Sequence, residues 1–372
     1  MTILLWLGGM IGVFYGYVKL WGRVSNNAVQ VELHIPQQRL LEGDLLEIQI
    51  RLVNHSWLPM PYVEVNQPFP QGIVMISGED LLDHLRILTY LLPKQQLIRK
   101  ITLQCCERGL HRLEGTELKT SDGFGFSEQR NLVHSKGKIL VRPQRIVHPG
   151  WKVIYQELMG EKSIRRWYQE DPSRLAGVRP YHVGDPLKRI HWSATARTGE
   201  MMVKQFETTS QNQLYLLLNQ QFFKYHRSGA MSRLVDFQCR LAASVFDYAE
   251  EDGLHYGLYT NGNWQGVRPL RIAPGNKPEH WNRVEEALGR LRNGANLPFA
   301  TLMEEVRPRT QPGLVQVITA YWDDDIAKAL TRWKEDGHTI NILFVMEEES
   351  GKLPVTDRFN ITPITIPKEA SP

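Results

Sequence analysis

A chain of 372 residues is long enough for two or three domains, and 42% hydrophobic with 23% charged residues excludes a wholly disordered polymer. Its 44 basic and 40 acidic residues leave a net charge of +4, too slight to require a nucleic-acid partner. Three cysteines, Cys105, Cys106 and Cys239, form no CxxC pair and no metal-ligand spacing, which excludes a disulfide framework and fits free thiols in a reducing compartment.

The chain opens with MTILLWLGGMIGVFYGYVKL, in which no charged side chain occurs before Lys19. From Thr2 to Val18 a helix would extend ~26 Å at ~1.5 Å per residue, which predicts a transmembrane anchor over residues 2–20. A basic n-region and a small-residue cleavage site are missing, so the run reads as an uncleaved anchor. Lys19 and Arg23 on its C-terminal side predict a single-pass protein of the cell membrane with the bulk of the chain in the cytoplasm. Gly8, Gly12 and Gly16 recur every four residues and mark a face for close helix approach, hence a homodimer through the membrane helix.

From Val29 the apolar residues alternate: Val29, Val31, Leu33 and Ile35, then Leu46, Ile48, Ile50 and Leu52. Further strands are expected from Val63, over Leu97 to Cys105, Arg112 to Leu118 and Ile139 to Val141. Together they predict an antiparallel β-sandwich, Ig-like in architecture, over residues 29–142. Residues 143–210 then form a connector, with an amphipathic piece around Trp151 to Met159. Its second half, from Glu170 to Glu207, gathers Arg174, Arg179, Lys188, Arg189, Arg197 and Lys204 around a Gly184-Asp185-Pro186 turn. Asp185 before Pro186 predicts a capped helix from Pro186 to about Thr195, with Leu187, Ile190 and Ala194 facing a core. Three roles fit this stretch: a structural hub of arginines paired with acids such as Asp185, a surface for an anion or a partner, and catalysis by Asp185 or His191.

After Thr208 the pattern becomes α/β. The run Leu214 to Leu218 reads as a strand buried on both faces, and a helix over Val235 to Glu250 and a strand over Tyr256 to Thr260 follow. Segments Arg268 to Ile272, Glu279 to Leu291, Leu314 to Thr319, Asp324 to Lys334 and Ile340 to Met346 continue the alternation. This predicts a doubly wound parallel sheet over residues 211–348, with its site at the strand ends Asn219, Asn261 and the loop Tyr321 to Asp325. Asp323, Asp324 and Asp325 read as helix-start residues. The tail, residues 349–372, offers one edge strand within Leu353 to Ile366.

The combination of Arg179, Tyr181, Gly184-Asp185, Arg189, Ile190, Trp192, Ala196-Arg197, Lys204 and Phe206 resembles the signature of the bacterial "domain of unknown function 58" family. The steps Arg108-Gly109 and Asp122 to Gly125 also resemble features of that family's β region. The resemblance implies a von Willebrand factor type A-like fold for the last domain, and a MoxR-type AAA+ ATPase as partner in protein assembly or maturation. It also implies two N-terminal membrane segments, where this sequence shows one. In the type A fold a metal is held by Asp-x-Ser-x-Ser; the matching positions here, Asn219, Gln221 and Phe223, lack its charge, so no metal site is expected.

No nucleophile-base pair, metal cluster, Walker motif or dinucleotide fingerprint occurs, so no enzymatic reaction and no cofactor are expected. The leading expectation is a membrane-anchored cytoplasmic scaffold or adaptor. In it Arg179, Tyr181, Gly184, Asp185, Arg189, Trp192 and Arg197 form the interdomain or partner hub. The alternative is a sensor or enzyme that binds an anion, such as a phosphate or a cell-wall precursor, through the basic cluster.

Overall fold

Helix α1 (Thr2–Val24) is rooted at its C-terminal end, where Trp21 is fully buried and its Nε1 donates to the carbonyl of Pro59 at 3.3 Å. The computed structural model describes residues 2–25, 27–36, 39–134, 137–146, 169–182, 185–209, 213–225, 231–264, 268–347, 353–354 and 358–367. The chain divides into two units, Met1–Gln144 with Glu285–Arg292, and Arg145–Val284 with Asn293–Pro372. The first unit carries α1, but among the described residues no helix is long and apolar enough to cross a membrane, so the expected span is not shown. Five glycines, Tyr15, Tyr17, Lys19 and Arg23 dilute the apolar run, and the side chains of residues 2–5 lie outside the described set.

The first unit continues through β1 (Val29–His34), β2 (Leu40–Leu41), β3 (Leu45–Asn54), β4 (Met60–Pro68), β5 (Ile73–Ser77) and β6 (Asp80–Leu82). Then come β7 (His84–Leu91), β8 (Gln96–Cys105), β9 (Gly109–Arg112), β10 (Thr116–Ser121), β11 (Glu128–Val133) and β12 (Lys138–Arg142). Strand order is β1-β3-β8-β5-β6 in one sheet, β11-β10-β4-β7 in a second, and β2-β12-β9 in a small third. The first two sheets are antiparallel throughout, and their inward residues, including Leu46, Ile48, Ile50, Leu52, Val63 and Val65, belong to one buried cluster. Alternation in the sequence therefore becomes the inner face of a β-sandwich. The expected strand from Arg112 to Leu118 is two strands, broken over Leu113 to Gly115, where a Cβ on Gly115 would press to 3.0 Å of Leu132. Arg108, also buried, donates through Nη1 to the carbonyls of Leu288 and Leu291 at 3.1 and 2.7 Å.

In the second unit β13 (Gln169–Pro180) pairs antiparallel with β14 (Met202–Thr209), and α2 (Trp192–Thr198) lies between them in sequence. The remaining elements are β15 (Gln213–Leu218), α3 (Ser232–Glu251), β16 (His255–Trp264), β17 (Arg268–Gly275), α4 (Pro278–Arg290), β18 (Leu291–Ala295), α5 (Phe299–Val306), β19 (Leu314–Thr319), α6 (Asp324–Glu335), β20 (Thr339–Met346) and β21 (Asn360–Thr365), of which Glu285–Arg292, in α4 and β18, belongs to the first unit. Its sheet runs β17-β16-β15-β19-β20-β21, parallel except for the edge strand β17, with β18 set against β16. Tyr215 and Leu217 meet Phe299, Leu302, Leu330 and Trp333 of α5 and α6, whereas the alternating Leu214, Leu216 and Leu218 point to the opposite face. Helix α5 is absent from the expectations above, although Phe299, Leu302, Met303 and Val306 have helical spacing and are all buried. The amphipathic piece expected at Trp151 to Met159 lies outside the described residues.

Candidate functional site

Two places in the second unit carry the residues singled out by sequence. In the first, the turn after β13 is closed by Asp185. Its carboxylate accepts from Nη1 and Nη2 of Arg179, both at 2.7 Å, and from the amide of His182 at 2.9 Å. The Arg179 guanidinium first, and the His182 amide second, hold this carboxyl well below the usual carboxylate range. Asp185 is thus consumed by Arg179 and does not cap a helix.

The expected helix from Pro186 to Thr195 is corrected accordingly. Leu187–Arg189 is a single 3-10 turn, Ile190 leaves it to bridge Val203, and α2 starts only at Trp192 with His191 as its cap. The His191 ring accepts from the Ala194 amide at 3.1 Å, and Gly199, at φ 79°, ends the helix in the left-handed region. Ile190, Ala194 and Val203 are buried together as the small core of this element, but Leu187, expected to join them, is 68% exposed. Trp192 is 71% exposed, and Lys188, Arg189 and Arg197 are exposed as well. Tyr181 is half-buried and tied through its amide to the carbonyl of Met201 at 2.8 Å, while Gly184 lies outside the described residues. Of the expected hub, then, the structure joins Arg179 to Asp185 and presents Arg189, Trp192 and Arg197 on the surface.

The second place is the carboxyl end of the parallel sheet, where β15 lies between β16, to which its own crossover leads, and β19, which the chain enters on the other side only after β16, β17 and β18. Asn219 occupies that switch point. Its Nδ2 donates to Thr319 Oγ1 at 2.9 Å, and its Oδ1 accepts from the Gln221 amide at 2.9 Å and from Asn261 Nδ2 at 3.1 Å. Asn261 Oδ1 accepts from the Gln220 amide at 2.8 Å, and Gln221 Oε1 accepts from the Phe299 amide at 3.0 Å. Asn219, Gln221, Asn261 and Thr319 are all buried. Phe223 is exposed, and its carbonyl accepts from Gln221 Nε2 at 3.0 Å. An uncharged lattice of amides therefore ties three strand ends together. Among the described residues no group of three or more His, Cys, Asp or Glu side chains is placed to hold a metal ion. Nearby, Asp323 caps α6 by accepting from the Ile326 amide at 2.8 Å, and burial together with Asp323 pushes the Tyr321 hydroxyl up to about 12. Sequence reasoning missed Thr319 and Gln220; the polar triplet Asn219-Gln220-Gln221 directly after five apolar residues was the available signal.

A two-unit protein, β-sandwich plus a largely parallel α/β sheet, with a basic segment between β13 and β14, is what these elements define. Residues 177–364 match the family model described as "Protein of unknown function DUF58", and the chain belongs to that family. It is 22% identical over 261 residues to the uncharacterized protein YeaD of Bacillus subtilis (strain 168), a match covering 69% of this chain and 62% of that protein. The chain thus spans about three-fifths of the relative's length. Among solved structures it is similar to Salmonella alpha-2-macroglobulin (17% identity, 32% of this chain and 7% of that one, TM-score 0.23). It is also similar to the CARDB domain of the PF1109 protein from Pyrococcus furiosus (14% identity, 30% and 86%, TM-score 0.22).

Proposed function

We propose that this protein is a membrane-attached adaptor that docks a partner protein on the surface around Leu187 and Trp192. The observation that carries this reading is the exposure of those two large apolar side chains, with Lys188, Arg189 and Arg197 exposed beside them in sequence. They are displayed on a frame held by the Arg179–Asp185 pair and the Ile190–Val203 bridge. Tryptophan and arginine around an apolar centre are the composition of interface hot spots. Because Arg179 is already paired, one bidentate donor of the stretch is withdrawn from any anionic ligand, which weighs against the phosphate or precursor alternative.

The partner is a MoxR-type AAA+ ATPase, the task is assembly or maturation of other proteins, and the parallel sheet domain is read as von Willebrand factor type A-like. These three statements rest on the family's pattern. Attachment rests on α1, whose Trp6, Leu7, Met10, Ile11 and Val13 are exposed, and Lys19 and Arg23 favour a cytoplasmic body. The reading assigns no reaction to the protein. Affinity purification of the full-length chain from detergent-solubilised membranes, followed by mass spectrometry, tests it: an AAA+ ATPase should co-purify. Recovery of no protein partner would remove its support.

A further inference from the structure

We infer that the β10–β11 loop, residues 122–127, enters the lipid interface beside α1, giving the sandwich a second, aromatic foothold on the bilayer. This rests on the membrane attachment just proposed. The loop is shaped by the buried Asp122, whose Oδ1 accepts from the amides of Phe124 at 3.0 Å and Gly125 at 2.8 Å. Gly123 and Gly125, at φ 84° and 83°, make the reversals. The consequence is that Phe124 and Phe126 are held outward, 64% and 70% exposed, although burial of such rings is favourable. Both rings meet Phe14 of α1 edge-on, with centroids 5.4 Å away in each case.

The root of α1 fixes the level of this contact. Trp21 is buried in the sandwich, and a Cβ on Gly22 would come to 2.9 Å of Ser127 Oγ. Phe14 lies eight residues earlier, so the loop climbs roughly 12 Å along the helix. Both elements turn from apolar to charged on the sandwich side of this contact. The helix has no charged residue from Trp6 to Val18 and then Lys19, and the loop reads Gly-Phe-Gly-Phe-Ser before Glu128. Lys19 lies over the ring of Tyr15 at 5.0 Å, an amphipathic pair suited to the headgroup level. Phe14 is roughly 200° around the helix from Gly12 at about 100° per residue, so a second helix seated on the glycines would leave both phenylalanines uncovered. An apolar surface shared by a helix and a loop, with one charge boundary across both, fits a bilayer.

The test uses the full-length chain with Cys106→Ser, since Cys105 and Cys239 are buried, reconstituted in vesicles of phosphatidylcholine and phosphatidylglycerol. Spin labels are placed singly at Phe126→Cys, Phe124→Cys and Trp6→Cys, with Trp57→Cys as the aqueous reference, and collision with oxygen is compared with collision with a water-soluble nickel chelate. Oxygen should dominate at positions 124, 126 and 6, and nickel at 57. Nickel dominance at 124 and 126 with oxygen dominance at 6 would overturn the loop inference and leave helix insertion standing. Nickel dominance at all four would overturn the membrane attachment and the inference with it.

Discussion

Replacing Asn219 by alanine removes the keystone of the amide lattice at the carboxyl end of the sheet. Three hydrogen bonds go with the side chain: to Thr319 Oγ1, from the Gln221 amide and from Asn261 Nδ2. At about 1 kcal/mol net for each, with the site fully buried, the loss is about 3 kcal/mol. In amide hydrogen exchange this corresponds to roughly a hundredfold faster opening of β15 and β19, at about 1.36 kcal/mol per tenfold. Exchange at Leu216 to Leu218 and Val317 to Ile318 within about twofold of the unaltered protein would refute the structural role given to the lattice. Asn219→Asp makes the complementary case. The new carboxylate faces Thr319 Oγ1, whose own proton goes to the Tyr321 carbonyl at 2.7 Å, so an acceptor meets an acceptor in a buried site. Magnesium should not restore this variant, because positions 221 and 223 supply glutamine and phenylalanine; restoration above the unaltered protein would show a metal site in waiting.

Other outcomes follow from the same geometry. Because Arg179 depresses the Asp185 carboxyl, its contribution is present above the ordinary value of 3.8 and is lost only as pH falls through the lower folded-state value. The Asp185 carboxyl carbon should therefore not titrate between pH 6 and 4 in NMR and should do so near the ordinary value in Arg179→Leu; a wild-type midpoint near 4 would contradict the pairing. A Cβ at Gly8, Gly12 or Gly16 would meet nothing within 4 Å, so that face of α1 is open. If it mediates a homodimer, Gly12→Leu should abolish chemical crosslinking in membranes, and unchanged crosslinking would exclude that face.

Local pattern and distant pairing divide what was legible. Leu46, Ile48, Ile50 and Leu52 announce one face of a strand by spacing alone, and all four are fully buried. The same holds for Leu214 to Leu218, whose unbroken apolar run fits a strand covered on both faces. The turn after β13 departs from the helix its sequence predicts because Asp185 and Pro186 make a good helix start only if nothing else claims the carboxylate; Arg179 does. Ile190 then follows Val203, thirteen residues on, into a bridge rather than the helical turn, and leaves Leu187 on the surface. Asn219 reads from sequence as a strand end, yet its partner Thr319 stands 100 residues away, and no local pattern announces such a bond.

The central claim is that Leu187 and Trp192 are the docking surface. It is tested most directly by titrating the proposed AAA+ ATPase partner onto the full-length protein in nanodiscs, beside Trp192→Ala and Leu187→Ser, with circular dichroism showing the fold retained. An exposed anchor of this kind is worth about 2 kcal/mol or more, so Kd should rise roughly thirtyfold for Trp192→Ala. Binding unchanged within twofold in both variants would contradict the account.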